Sequence, residues 1–424
     1  MIRYLPRAVD AELDELLAGL AAVALEGPKG VGKTATGQRR AGTVFSLDDP
    51  VQHALLAADV RRVDGPAGLV LVDEWQRLPT VWDVVRRSVD RDPRPGHFLL
   101  TDSAVPLGVP LHSGAGRIVQ VRMRPMGLTE RGLDSPTVSL RELLTGGRPP
   151  VDGHAGVDLG GYAEEVVRSG FPAIRDLSGR ARRAQLDGYI ARVVEREFPE
   201  QGMVVRRPAT LRAWLTAYAA ATSTTASYNA ILDAATASDG NKPAKTTTIT
   251  YREVLASLWL LDTIPGWLPG RSTFTRLAQM PKHHLADPAL AARLLGVDAD
   301  ALVSGQPAGP PVARDGTLLG HLFESLVTLT VRVLAQAAEA TVHHLRTRNG
   351  DHEVDLIVER ADRRVVALEV KLAANIDDRD VKHLHWLRSR LGDDLLDAVV
   401  VTTGPYAYRR PDGIAVVPAS LLGP

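Results

Sequence analysis

Gly27-Pro28-Lys29-Gly30-Val31-Gly32-Lys33-Thr34 satisfies the spacing G-x-x-x-x-G-K-[ST] in full, directly after the apolar run at 21–26. Glycines at 27, 30 and 32 let the backbone wrap so that successive N–H groups face phosphate oxygens. The helix expected next begins with its positive end toward the same anion. On this pattern the cradle runs from Gly27 through Pro28, Lys29, Gly30, Val31 and Gly32, Lys33 reaches the β and γ phosphates of ATP, and the Thr34 hydroxyl ligates Mg²⁺. Only seven of the 50 positive residues are lysines, so two of them within one loop is informative.

A second element is expected one or two βα units on, where an apolar strand ends in a carboxylate. Leu69-Val70-Leu71-Val72-Asp73-Glu74 supplies it. Asp73 would hold a magnesium-bound water, and Glu74 would orient or deprotonate the water that attacks the γ phosphate. A third short strand, 97–101, ends in Thr101-Asp102-Ser103, where Thr101 or Ser103 suits a polar sensor of the γ phosphate. Arg117 suits a residue that completes a neighbouring subunit's nucleotide site by neutralising transition-state charge, which would require a homo-oligomer.

A second constellation lies near the C-terminus: Glu324 in a helical stretch, Asp355 in the strand-like 353–358, and Glu369-Val370-Lys371 in another strand. Side chains alternate faces along a strand, so Glu369 and Lys371 point one way and Val370 the other. The carboxylates Glu324, Asp355 and Glu369 could then share a divalent metal, Mg²⁺ or Mn²⁺, while Lys371 stabilises charge on a scissile phosphate or positions water. The plainer alternative is a hairpin whose Glu and Lys are solvent-facing partners. The paired histidines 283–284, 343–344 and 383 with 385 form no complete ligand set.

The elements that must position these residues follow an order. Up to about residue 145, short apolar runs alternate with amphipathic stretches, the pattern of buried parallel strands with crossover helices. A Gly/Pro/Ser/Thr-rich stretch at 133–160 reads as a boundary, and 146–202 as a helical linker or lid. The segment 203–300 predicts helices at 211–221, at 226–235 and from a threonine-rich start at 246–248, with nine positive against four negative residues over 203–282. On an otherwise neutral chain, Lys242, Lys245 and Arg252 around that helix start would suit DNA phosphates; a helical lid or protein-binding surface is the competing reading. After a break at 304–316, residues 310–424 predict an amphipathic helix at 318–338 and strands at 354–358, 365–370 and 398–402.

The 424 residues balance 50 positive against 50 negative charges, so no chain-wide basic field draws in nucleic acid or membrane. The absence of cysteine removes disulfides, thiolate metal sites and a cysteine nucleophile, and fits a cytoplasmic protein. The N-terminus lacks the basic-then-apolar signal pattern, and its apolar stretch at 16–25 is too short to span a bilayer, which predicts no membrane partner.

Taken together, Tyr4-Leu5-Pro6-Arg7, the GPKGVGKT loop, LVLVDEWQRLP, FLLTDSA, GRIVQVRMRPMGLTE, Gly170-Phe171-Pro172 and PKHHLADPALA resemble, in order, the bacterial and archaeal AAA-type P-loop ATPases with a C-terminal domain of unknown function. The chain departs at Asp102, where that family usually carries glycine. The C-terminal set resembles the PD-(D/E)XK nucleases, most of all the Holliday-junction-resolvase branch. These resemblances imply an α/β fold class: an ATPase domain over 1–145, a winged-helix-like module within 203–300 and a restriction-endonuclease-like domain over 310–424. They imply a Mg²⁺-dependent ATPase working on DNA. A structure-selective endonuclease gated by ATP, and a nucleotide-gated switch for a protein partner with a silent nuclease fold, stand as alternatives.

Overall fold

A computed structural model describes residues 4–104, 114–203, 205–236, 243–268, 279–304, 316–347 and 350–424. The short apolar runs near the N-terminus become five strands: β1 (Ala22–Glu26), β2 (Thr43–Ser46), β3 (Val70–Asp73), β4 (Phe98–Thr101) and β5 (Ile118–Arg122). They form one sheet in the order β2-β3-β4-β1-β5, and every pairing is parallel. Strands β1, β3 and β4 are buried at every position, which is why they read as continuous Val/Leu/Ala runs rather than alternating ones. The helix Thr80–Arg91 turns Val81, Trp82, Val85 and Val89 onto one face of this sheet, among Val70, Val72 and Leu100.

Two further strands, β6 (Val138–Ser139) and β7 (Gly153–His154), fall in the stretch read as a boundary. That stretch is stitched into the far end of the chain. Strand β7 pairs with β12, and β6 with β14. The C-terminal sheet contains β8 (Thr341–Arg346), β9 (Glu353–Glu359), β10 (Val365–Lys371), β11 (Leu395–Thr402), β12 (Tyr406–Arg409) and β13 (Ala415–Pro418), in the order β7-β12-β13-β11-β10-β9-β8; β14 (Leu422–Gly423) lies outside it. Strands β8, β9 and β10 run antiparallel in succession, and β10 and β11 are parallel across the helix Lys382–Leu391.

After β7 and before β8 the chain forms the helices Leu159–Arg168, Gly179–Arg192, Pro208–Ala220, Tyr228–Ala234, Lys245–Ser257 and Pro288–Leu295, among others. The last expected helix start is corrected. Lys245 opens the helix after an extended Ala244 with no side-chain cap, and Thr248 turns its hydroxyl back onto the Lys245 carbonyl at 2.8 Å. Among the described residues of 203–300, β pairing consists of isolated bridges, including Leu261 with Leu285 and Ile264 with Lys282.

The helix Gly316–Ala337 is apolar enough over Leu318–Ala337 to cross a bilayer by length and composition. It is instead packed into the fold, with Leu322, Phe323, Leu326 and Val331 buried and with Glu324 and Arg332 engaged in ion pairs. One continuous apolar core joins Leu13 and Val23 near the first sheet, Trp214 and Tyr218 in the middle, and Phe323 and Val399 at the end.

Candidate nucleotide site and the C-terminal carboxylates

Strand β1 delivers the phosphate-binding loop at its carboxyl end, between β4 and β5, where an open parallel sheet leaves a crevice for ligands. Gly27, Gly30 and Gly32 all have positive φ. At Gly27 a Cβ would fall 2.1 Å from the Met123 carbonyl oxygen, so no larger residue fits there. The Lys33 ammonium donates to the carbonyls of Gly27 at 2.7 Å and Pro28 at 2.9 Å, closing the loop on itself. Burial lowers the Lys33 pKa to about 8, against the opposing pull of Glu74, Asp102 and Asp73.

Thr34 donates its hydroxyl to both carboxylate oxygens of Asp73, at 2.9 and 3.0 Å. A hydroxyl and a carboxylate meeting beside a phosphate cradle are the hard oxygen donors that Mg²⁺ takes, so the residues fit the ion. Burial raises the Asp73 pKa, while hydrogen bonds from Thr101 and Thr34 work against that rise.

Glu74 has φ 57°, a left-handed conformation unusual for a non-glycine residue. The turn carries its carboxylate toward the end of β4, where Oε2 accepts from Ser103 at 2.8 Å and from Gln76 at 2.7 Å. The two candidate sensors therefore separate. Ser103 touches Glu74, whereas buried Thr101 donates to Asp73 and accepts from the Glu74 backbone N–H at 3.3 Å. Asp102 is buried and accepts from the Trp75 indole at 3.2 Å. Burial, followed by Glu26, pushes its pKa up to about 8, with Lys33 opposing.

Sequence reasoning misses several contacts to the loop. Arg7, at the end of the Tyr4–Arg7 segment, donates to the Val31 carbonyl at 2.8 Å and the Arg124 carbonyl at 2.7 Å while pairing with Glu130 at 3.0 Å. Lys29 pairs with Glu197 at 3.1 Å, and Tyr189 donates to the Lys29 carbonyl at 3.2 Å. Glu197 closes a single π turn, Val193–Glu197, of the kind often found at functional positions.

Arg117 is exposed just before the edge strand β5 and pairs with Asp90 at 2.7 Å. Of the DNA-contact candidates, Lys242 lies outside the described residues and Lys245 is exposed. Arg252 is half-buried, and its guanidinium lies over Tyr228, 3.9 Å from the ring centre.

Lys371 pairs with Glu369 at 2.7 Å, as same-face neighbours on β10 should, and Asp355 accepts from the Val370 N–H at 2.9 Å. The shared metal is corrected. Glu324 and Asp355 are drawn together by the ammonium of Lys282, 2.8 Å from Glu324 and 3.1 Å from Asp355, while Glu369 is taken by Lys371. Among the described residues no group of three or more His, Cys, Asp or Glu is arranged to hold a metal ion. As they stand, these carboxylates do not fit a metal. Lys282 escapes a reading of the sequence because the chain brings it in from the middle segment; its one signal is its rarity.

Three family models match separate parts of the chain: an AAA domain at residues 21–131, and domains of unknown function at 160–301 and 319–422. An uncharacterized protein of Mycobacterium tuberculosis and another of Mycobacterium bovis are each 27% identical over 423 residues, covering 98% of this chain and 84% of theirs. Among solved structures, the ORC2 protein of Aeropyrum pernix in ADPNP-ADP complexes overlaps at a TM-score of 0.30 with 17% identity, over 73% of this chain and 97% of that one. The Drosophila ORC bound to DNA overlaps at 0.21 with 14% identity, over 68% and 94%. Overlaps that loose carry no argument. All five strands of the first sheet, the phosphate-binding loop and Asp73 lie within residues 21–131, and together with the family match they support an AAA-type ATPase domain there.

Proposed function

We propose that this chain is a Mg²⁺-dependent ATPase that couples ATP hydrolysis to binding or remodelling of DNA. The observation that carries the ATPase reading is the meeting of Lys33, Thr34, Asp73 and Glu74 at the carboxyl ends of β1 and β3, with Ser103 from the end of β4 on the Glu74 carboxylate. On ATP binding, Lys33 leaves the loop carbonyls for the β and γ phosphates. The loop N–H groups and the start of the helix Lys33–Gln38 bind the remaining phosphate charge. Thr34 and Asp73 would hold Mg²⁺, which offsets charge on the phosphates. Glu74, positioned by Ser103 and Gln76, takes the proton of the attacking water.

Contacts between the nucleotide loop and the rest of the chain support coupling. Lys29 meets Glu197. Phe171 lies beside Gly30, and Asp287 holds Gly170 through its N–H at 2.8 Å. Exposed Lys245 and the local excess of positive charge favour DNA as the partner. Arg117, exposed at the sheet edge, favours a homo-oligomer in which it reaches a neighbour's nucleotide once released from Asp90.

The test titrates single strands, duplexes, forks and four-way junctions into the full chain at low salt, with Mg²⁺ and ATP. DNA that binds and stimulates hydrolysis without being cut supports the proposal. Absence of binding in every nucleotide state overturns the DNA role and favours a protein-partner switch. Cleavage lost in Lys371→Ala with hydrolysis intact favours an ATP-gated endonuclease.

A further inference from the structure

Lys282 belongs to the middle segment, yet its side chain ends inside the C-terminal domain. Its ammonium is essentially excluded from solvent, at 1% exposure, and lies within 4 Å of three carboxylates: Glu324 at 2.8 Å, Asp355 at 3.1 Å and Glu353 at 3.6 Å. Those oxygens come from the helix Gly316–Ala337 and from two same-face positions of β9. Backbone bonds in both directions between Lys282 and Ile264, each 2.9 Å, fix the lysine's base. His284 meets Ser325 at 3.2 Å, and His344 meets the Met280 carbonyl at 3.1 Å, fastening the segment to the helix and to β8.

We propose that Lys282 is a resident cation that keeps the C-terminal carboxylates closed to a divalent metal ion. A divalent ion needs the oxygens of Glu324 and Asp355 turned toward one point, and the ammonium occupies that point. The two cations compete for the same charge, and removing the lysine leaves buried carboxylates uncompensated, which is strongly unfavourable unless another cation enters. The placement also ties the middle module to the C-terminal domain, since the lysine that shuts the site is five residues before Asp287, which grips Gly170 beside the nucleotide loop.

This inference rests on reading the C-terminal carboxylates as able to take a cation, and its test needs neither ATP nor DNA. Mn²⁺ binding to the full chain is measured by electron paramagnetic resonance, without nucleotide, for the unaltered protein, Lys282→Met, Lys282→Arg, and Lys282→Met combined with Asp355→Asn. The last variant subtracts any Mn²⁺ held at Thr34 and Asp73. The expected result is one additional Mn²⁺ equivalent in Lys282→Met, bound on the order of a hundredfold more tightly than by the unaltered protein, given a unit charge removed at ion-pair distance. It should be absent from Lys282→Arg and from the double variant. The additional Mn²⁺ held equally by the unaltered protein and Lys282→Met, and lost in the double variant, overturns the latch and leaves the carboxylates standing as a cation site; its absence from both, as from the double variant, overturns the site as well. If Lys282→Met folds only with help, refolding in Mn²⁺ and in EDTA gives the same decision: recovery in Mn²⁺ alone supports the latch, and recovery in neither overturns it.

Discussion

Ser103 donates its hydroxyl to the Glu74 carboxylate at 2.8 Å, across the gap between the ends of β4 and β3. A glutamate at φ 57° aims its side chain away from the strand axis, and this bond, with that from Gln76, fixes where the carboxylate ends up. In the proposed mechanism the attacking water would thus be positioned from the end of β4 as well as from β3, which carries Asp73.

Ser103→Ala should therefore lower kcat for ATP by roughly tenfold, a fraction of what a general base contributes, while KM and nucleotide affinity stay within a few-fold. Steady-state kinetics beside equilibrium nucleotide binding separates the two. A loss of affinity at unchanged kcat would mean that Ser103 shapes the pocket and does not position the base.

Asp102 makes stability depend on pH in a predictable sense. Its pKa is raised to about 8 by burial and then by Glu26, against about 3.9 for an unfolded aspartate. Ionising it inside the fold costs stability. That cost is absent below the unfolded value, grows by at most about 1.4 kcal/mol for each pH unit climbed between about 4 and 8, and is complete above. Lys33, lowered to about 8, is charged in both states across that window, so it contributes little slope there. Asp102→Asn should thus lose less stability than the unaltered chain between pH 5 and pH 8, measured by urea unfolding at each pH; parallel losses would contradict the assignment.

Asp262 is the hinge of a buried charge cluster. Burial alone would raise its pKa, but Arg122, Arg124 and Arg332 hold it well below the usual range. These arginines come from β5, the loop after it and the helix Gly316–Ala337, with Arg124 and Asp262 at 3.0 Å and Arg332 and Asp262 at 3.2 Å. Asp262→Asn leaves three guanidinium groups facing one another and should destabilise the chain by about 3–5 kcal/mol, the cost of breaking a buried pair. Restoring much of this by adding Arg332→Met, in a urea double-mutant cycle, would show that the cost is guanidinium repulsion; a purely additive loss would show that it is not.

What the sequence reveals and what it hides divide by range. The phosphate-binding loop, Asp73, Glu74 and the E-x-K pair of β10 are local, set by a strand and the few residues after it, and the short Val/Leu runs that become β1, β3 and β4 carry their burial in their composition. Lys282, Glu197 and Arg7 act across long stretches of chain, and no spacing rule connects Lys282 to Glu324 or Lys29 to Glu197. The contact of Arg252 with Tyr228 is hidden for a related reason: charge counting does not show which ring a guanidinium lies over. The boundary at 133–160 hides β6 and β7 because two-residue edge strands have no periodicity to detect.

ATP hydrolysis and nucleotide affinity, measured together on the full chain and on Glu74→Gln, decide whether Glu74 is the general base of an ATPase. The unaltered chain should turn over ATP in Mg²⁺, and turnover should fall on the order of a hundredfold or more in Glu74→Gln, with ATP affinity within a few-fold. Hydrolysis by Glu74→Gln at the unaltered rate, or an unaltered chain that binds no ATP, would contradict that role.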